Sequence, residues 1–400
     1  MATPNPLAST FGANVPTISS KTFIIGGIQT TVYGLDELLP SQIEVGCLWL
    51  LHPRLQAHQC MEPVGAAAIQ AWSEFYEKEG VKRAETKKKG LIAVAFDQRN
   101  HGSRLVSAQA NEAWRAGNPS HAQDMFSVYE GTAHDLRHIQ SHLQSYIFQG
   151  SGANGASGPK ITQNLVLGIS LGGHAAWHCL LHNPTVTSAI IIIGCPDYVR
   201  LMTDRAAKSK LPSYTSSNPP GSAFLGSKDF PNALLDVVKT SDPAALLMEP
   251  FVSHSKFVGP PDEPPLPKLG KYAPRITDKM ITHLTNKRIL NLAGGADKLV
   301  PYNEASWPFL QFLKDAIVPD LGPVGHGCPP RLAAMGYFEG GGIVLKDIVY
   351  EGVGHEMTPE MVKETQQFVV KALAEGELTK SDFREQQKQQ KRSSGPSWSL

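Results

Sequence analysis

The chain has 400 residues, of which 41% are hydrophobic, and its 37 Lys and Arg against 36 Asp and Glu give a formal net charge of +1. That balance provides no basic stripe for a nucleic-acid partner, and no apolar run reaches the ~20 residues of a membrane span. The length suits one large α/β domain as well as two smaller ones.

In chain order, Met1-Ala2-Thr3-Pro4-Asn5-Pro6 opens a polar, proline-containing stretch without the apolar core of a secretory signal. Residues 1–20 are expected to form a flexible arm. Lys21 to Gly34 predicts a hairpin of edge strands, and Val45 to His52 a buried strand. Met61 to Lys78 carries Ile69, Trp72, Phe75 and Tyr76 on one helical stripe. Lys82 to Lys89 is expected to be a basic solvated loop. Leu91 to Phe96 predicts the next strand and Asp124 to Phe148 the next helix, followed by a Gly/Ser-rich loop at 150–158. Asn164-Leu165-Val166-Leu167 predicts a strand, the stretch from Gly173 to Leu181 a helix, and Thr187 to Gly194 a further strand.

Asp197 to Asn286 is a proline-rich insertion between two strands, expected to cap the carboxyl ends of the sheet. Arg288 to Ala293 and Ile343 to Tyr350 predict two more strands, separated in part by an irregular segment at 319–342. Beyond Ala374 the chain turns Gln/Lys/Arg-rich, so a domain over 21–375 and a disordered polar tail over 376–400 are expected. Fully apolar strands alternating with helices predict a mostly parallel sheet covered on both faces. The five cysteines are odd in number and widely spaced, which fits reduced core residues of a cytoplasmic protein.

Between the Asn164 strand and the following helix lies Gly168-Ile169-Ser170-Leu171-Gly172, a G-x-S-x-G pentapeptide. A serine on a sharp strand-to-helix turn needs small neighbours, projects its hydroxyl, and sits at a helix N-terminus that favours negative charge. Serine is a poor nucleophile without a base. His355, in Gly352-Val353-Gly354-His355-Glu356-Met357 after the last strand, is the candidate base. Asp297, in Gly294-Gly295-Ala296-Asp297-Lys298-Leu299-Val300-Pro301, is the candidate acid that orients it. Asp297 also suits a helix N-cap, and its separation from His355 is long. Asp197, ending the strand after the pentapeptide, is the rival acid.

The order Ser170, Asp297, His355 resembles that of the α/β-hydrolase superfamily, and specifically its esterase and prolyl-oligopeptidase-like members. The resemblance covers roughly residues 20 to 375 and implies an α/β-hydrolase fold with a mostly parallel central sheet, helices on both faces and a cap insertion. It further implies an oxyanion hole built from backbone N–H groups, one from Leu171 and one from the loop His52-Pro53-Arg54-Leu55. Proline has no N–H, which leaves Arg54, or Leu55 if the loop is shifted, as the second donor. Asp97-Gln98-Arg99-Asn100-His101-Gly102 resembles a scaffold turn of the same superfamily, with Asn100 at a left-handed position.

The activity implied is a serine hydrolase acting on a carboxylic ester or related acyl compound, a small-molecule substrate, without cofactor or metal. Peptidase, thioesterase and lactonase chemistry share the constellation, and a non-catalytic binding protein on the same fold is the alternative from another class. Two histidine ladders, His134/His138/His142 and His174/His178/His182, lack the carboxylate or cysteine partners a metal site needs. The oligomeric state is not written in the sequence.

Overall fold

The computed structural model describes residues 5–12, 15–79, 89–148, 158–248, 279–280, 282–317, 336–340, 342–376 and 378. The basic turn at 82–88, most of the 150–158 loop, residues 249–278 of the insertion, residues 318–335 and nearly all of the tail lie outside the described residues.

Nine strands form one sheet: β1 (Ser20–Ile25), β2 (Ile28–Tyr33), β3 (Glu44–Leu51), β4 (Lys89–Phe96), β5 (Lys160–Ile169), β6 (Val186–Ile192), β7 (Lys287–Gly294), β8 (Gly336–Gly340) and β9 (Ile343–Tyr350). Their spatial order is β1-β2-β4-β3-β5-β6-β7-β9-β8. The inner run from β4 to β9 is parallel, and β1, β2 and β8 add antiparallel edges. The register aligns Val94, Trp49, Val166, Ala189, Ile289 and Leu345 in one row across six strands. All six are buried in one core, while Leu165, Ile190 and Leu290 point into the other. Burial on both faces is why these strands are continuously apolar rather than alternating.

Helices α1 (Glu62–Glu79), α2 (His121–Ile147) and α3 (Leu171–His182) follow the early strands. The insertion contributes α4 (Tyr198–Lys208), α5 (Pro212–Thr215), α6 (Asn232–Ser241) and α7 (Pro243–Met248). A π-turn at Tyr302–Ser306 runs into α8 (Trp307–Ile317), and α9 (Pro359–Glu375) follows β9. Helix α1 presents Val64, Ile69 and Trp72 and α9 presents Met361, Phe368 and Leu373 to one core; α2, α3 and α8 fill the other. This is the mostly parallel sheet with helices on both faces that the motif order implies. No helix among the described residues is long and apolar enough to cross a membrane.

Two elements depart from the expectations. Strand β8 lies at the end of the segment expected to be irregular, where it pairs with β9 through Phe338 opposite Leu345. Residues 5–12, expected to belong to a flexible arm, are held against the loop after β9. The Met357 N–H donates to the Pro6 carbonyl (3.0 Å), the Thr10 hydroxyl donates to the Met357 carbonyl (2.6 Å), and Leu7 is buried. The sequence gives these residues no periodicity, because their contacts are made by backbone groups 347 residues away.

Candidate active site

Parallel strands bring the loops after β3, β5, β7 and β9 to the same edge of the sheet, so Arg54, Ser170, Asp297 and His355 converge although far apart in sequence. Ser170 stands between β5 and α3 with φ 55° and ψ −112°, a strained backbone region that persists only where its surroundings enforce it. They do so through close backbone approach. A Cβ on Gly168 would come within 1.9 Å of the Gly172 carbonyl oxygen, and one on Gly172 within 2.0 Å of that of Leu51. The Ser170 N–H is tied to the Ile192 carbonyl at 2.9 Å. The first glycine thus permits the turn and the second lets α3 start directly against β3.

Ser170 Oγ lies 2.8 Å from His355 Nε2, and His355 Nδ1 lies 2.7 Å from Asp297 Oδ2. The other Asp297 oxygen accepts the N–H groups of Leu299 (2.8 Å) and Val300 (3.0 Å). These are turn contacts and not a helix cap, since the helical segment that follows begins at Tyr302 with Pro301 at its N-cap position. The acid and histidine loops are further joined by Gly295 N–H to Tyr350 O and Ala296 N–H to Val353 O, both 2.8 Å. Asp197 is turned elsewhere: it caps α4 by accepting the Arg200 N–H at 3.0 Å and pairs with the Arg200 guanidinium at 3.2 Å. Burial raises its carboxyl above the usual range.

Leu171 is the first residue of α3, where backbone N–H groups have no partner within the helix. Arg54 and Leu171 line one small cleft with Ser170, His355, Met125 and Arg205. Leu55 has φ 64°, so the chain reverses direction just after Arg54. The neighbouring His52 is fully buried and holds the loops together. Its Nε2 accepts the Gln98 N–H (2.9 Å), and its Nδ1 meets the Pro53 carbonyl (2.8 Å). Burial brings its pKa down to about 4, which keeps it neutral.

The scaffold turn after β4 is built around Asp97. One oxygen receives His58 N–H (2.8 Å) and Nδ1 (3.0 Å), the other the Ser103 N–H and hydroxyl, both at 2.7 Å. Asn100 adopts φ 57°. The His58 ring also meets the Thr31 hydroxyl at 3.1 Å. This second hydroxyl–imidazole–carboxylate set sits on β2, with Thr31 and His58 both buried.

His134, His138 and His142 are exposed on α2, whereas His174 and His178 are buried under it. His174 Nδ1 accepts the Cys195 N–H at 2.9 Å, and His178 packs edge-on to Tyr129 and Phe126. Among the described residues no group of three or more His, Cys, Asp or Glu is placed to hold a metal ion.

Arg205 and the docked arm escape sequence reasoning. Arg205 lies on an amphipathic insertion helix and resembles any solvated cation until the fold turns it inward. Pro6 of the arm reaches the same cleft.

No protein-family model and no curated protein matches the chain. Solved structures similar to it include TT1662 from Thermus thermophilus, at 14% identity and TM-score 0.47, covering 90% of this chain and 99% of that one. The Pyrococcus furiosus esterase Pf2001 is similar at 13% identity and TM-score 0.39, covering 91% and 94%. The Pyrococcus horikoshii acylaminoacyl peptidase is similar at 11% identity and TM-score 0.42, covering 92% of this chain but only 42% of the peptidase.

Proposed function

We propose that this protein is a serine hydrolase that cleaves a carboxylic ester or related acyl bond of a small molecule through an acyl-enzyme intermediate. The observation that carries the reading is the unbroken hydrogen-bonded line from Ser170 Oγ through the His355 ring to Asp297, at 2.8 and 2.7 Å, at the N-terminus of α3.

In this reading His355 Nε2 takes the Ser170 proton as Oγ attacks the acyl carbon. Asp297 holds the tautomer with Nδ1 protonated and stabilises the imidazolium that forms. The carbonyl oxygen becomes an oxyanion held by the N–H groups of Leu171 and Arg54, a kind of stabilisation worth about 3 kcal/mol per donor. The imidazolium then protonates the leaving group, the acyl chain stays on Ser170, and a water activated by His355 releases the acid. The insertion at 197–286 acts as a cap through α4. A cytoplasmic location belongs to the same reading, supported by Cys47, Cys60, Cys179 and Cys195 being free thiols, three of them buried.

A fluorophosphonate probe tests the proposal. Wild-type protein is expected to label at one site, and Ser170→Ala to remain unlabelled. A wild type that takes no label, or a Ser170→Ala variant that labels equally, sinks it. Matched chromogenic esters, a thioester and an aminoacyl amide then rank the bond cleaved.

A further inference from the structure

The cleft at Ser170 is lined by two cations. Arg205 enters it from α4 and Arg54 from the loop after β3, and no Asp or Glu is among the described residues lining it. Arg205 is half-buried, and its guanidinium contacts among the described residues are with neutral groups. Nη1 meets Met125 Sδ at 2.9 Å and His121 Nε2 at 3.2 Å, and Nη2 donates to the Leu299 carbonyl at 3.2 Å. A guanidinium has five N–H donors in a planar fork, so this one keeps capacity beyond those three contacts.

The acids around Arg205 are engaged elsewhere. Asp204, its neighbour on α4, pairs with Lys208 at 2.8 Å. Asp297, whose charge is felt at Arg205, has one oxygen on His355 and the other on the Leu299 and Val300 N–H groups. His121 supplies no counter-charge but is held neutral: burial, then Arg205 and Arg54, push its pKa down to about 2. Arg54 itself, hydrogen-bonded to the Asn111 carbonyl at 2.7 Å, is lowered to about 10 by burial and then by Arg205, against the opposing charge of Glu112. Arg205 thus makes no ionic contact among the described residues. A desolvated charge of that kind is costly, and an anion beside it would offset that cost.

Resting on the hydrolase reading above, we infer that the substrate carries a free carboxylate close to its scissile carbonyl, and that Arg205 grips this carboxylate while Ser170 attacks. Planar guanidinium–carboxylate pairing is directional, so Arg205 acts as the specificity-determining residue of the site. Substrates of this kind include a half-ester of a dicarboxylic acid and an ester of a carboxylated alcohol or phenol.

Two substrate pairs test the inference, one for each side of the scissile bond. Mono-4-nitrophenyl glutarate is set against 4-nitrophenyl pentanoate, and 4-acetoxybenzoate against its methyl ester. In at least one pair the charged member is expected to be preferred about tenfold or more in kcat/KM, the size of a modest charge-assisted hydrogen bond. Arg205→Gln is expected to collapse that ratio, and Arg205→Lys to keep part of it. A wild type that prefers the neutral member of both pairs, or a preference that survives Arg205→Gln, overturns the inference. If no ester is turned over, calorimetry with glutarate and benzoate decides: binding lost in Arg205→Gln supports the site, and its absence in the wild type overturns it. Fluorophosphonate labelling reports separately on Ser170, so a labelled enzyme without anion preference leaves the hydrolase reading standing while this inference falls.

Discussion

Asp297 divides its carboxylate between two tasks, with Oδ2 2.7 Å from His355 Nδ1 and Oδ1 under the N–H groups of Leu299 and Val300. The turn fixes the carboxylate, and the carboxylate fixes the ring. Asp297→Asn can keep the turn contacts to Leu299 and Val300 through its amide oxygen but presents an N–H to Nδ1 and reverses the tautomer. The expected outcome is a fall in kcat of ~10⁴-fold with melting close to wild type. Asp197→Asn, which alters only the start of α4, is expected to leave kcat near wild type. Steady-state kinetics on both variants checks this, and the opposite ranking would move the acid role to Asp197.

The docked arm makes a second expectation. Pro6 O, Thr10 Oγ1 and the buried Leu7 brace the segment just after His355. Thr10→Ala removes one hydrogen bond and is expected to cost about 1 kcal/mol. Deleting residues 1–12 also exposes the face that Leu7 covers, and is expected to lower kcat several-fold while β5 and α3 stay folded. Hydrogen exchange localises the effect: faster exchange confined to about residues 352–358 supports the bracing role, and uniform loosening argues against it.

Much of this site was legible because its signals are local. Glycines at 168 and 172 are demanded by backbone approaches of about 2 Å, and apolar strands at 165–169, 288–293 and 343–350 announce where the loops begin. Parallel topology then brings their ends together. Partners set by tertiary approach were not legible. Nothing around Arg205 marks it as facing Ser170, and nothing in residues 5–12 marks Met357 as their partner. Asp297 and Asp197 look alike in sequence, each following a strand and preceding a helix; the direction of the side chain separates them.

The Asp97 turn ties stability to pH. Burial alone lifts its carboxyl, but donors from His58 and Ser103 outweigh that effect and hold it well below the usual value of 3.8. A carboxylate depressed in the folded state contributes stability that is present above its unfolded pKa and lost as pH falls below it, because the unfolded chain then takes up the proton first. Melting temperature is expected to drop between roughly pH 5 and pH 3. Asp97→Asn is expected to be less stable than wild type at pH 7 and to show a shallower acid loss. Equal acid slopes in the two proteins would place the acid sensitivity elsewhere.

Beneath the Asp297 and His355 loops, Lys314 and Asp347 form an ion pair of 2.7 Å, 1% and 0% exposed. Asp347 also receives the Tyr302 hydroxyl (2.6 Å) and the Asn291 side-chain amide (2.8 Å). Because Asn291 and Asp347 face each other across β7 and β9, this network fixes the two strands that lead to Asp297 and His355. Lys314→Met leaves a buried carboxylate without its cation and is expected to cost about 3–5 kcal/mol. The double variant Lys314→Met/Asp347→Leu removes both charges and is expected to recover more than half of that loss, since two desolvation penalties vanish with one attraction. Denaturant unfolding of the single and double variants measures the coupling. A double variant no more stable than Lys314→Met would mean that Tyr302 and Asn291, left without Asp347, matter more to this strand pair than the ion pair does.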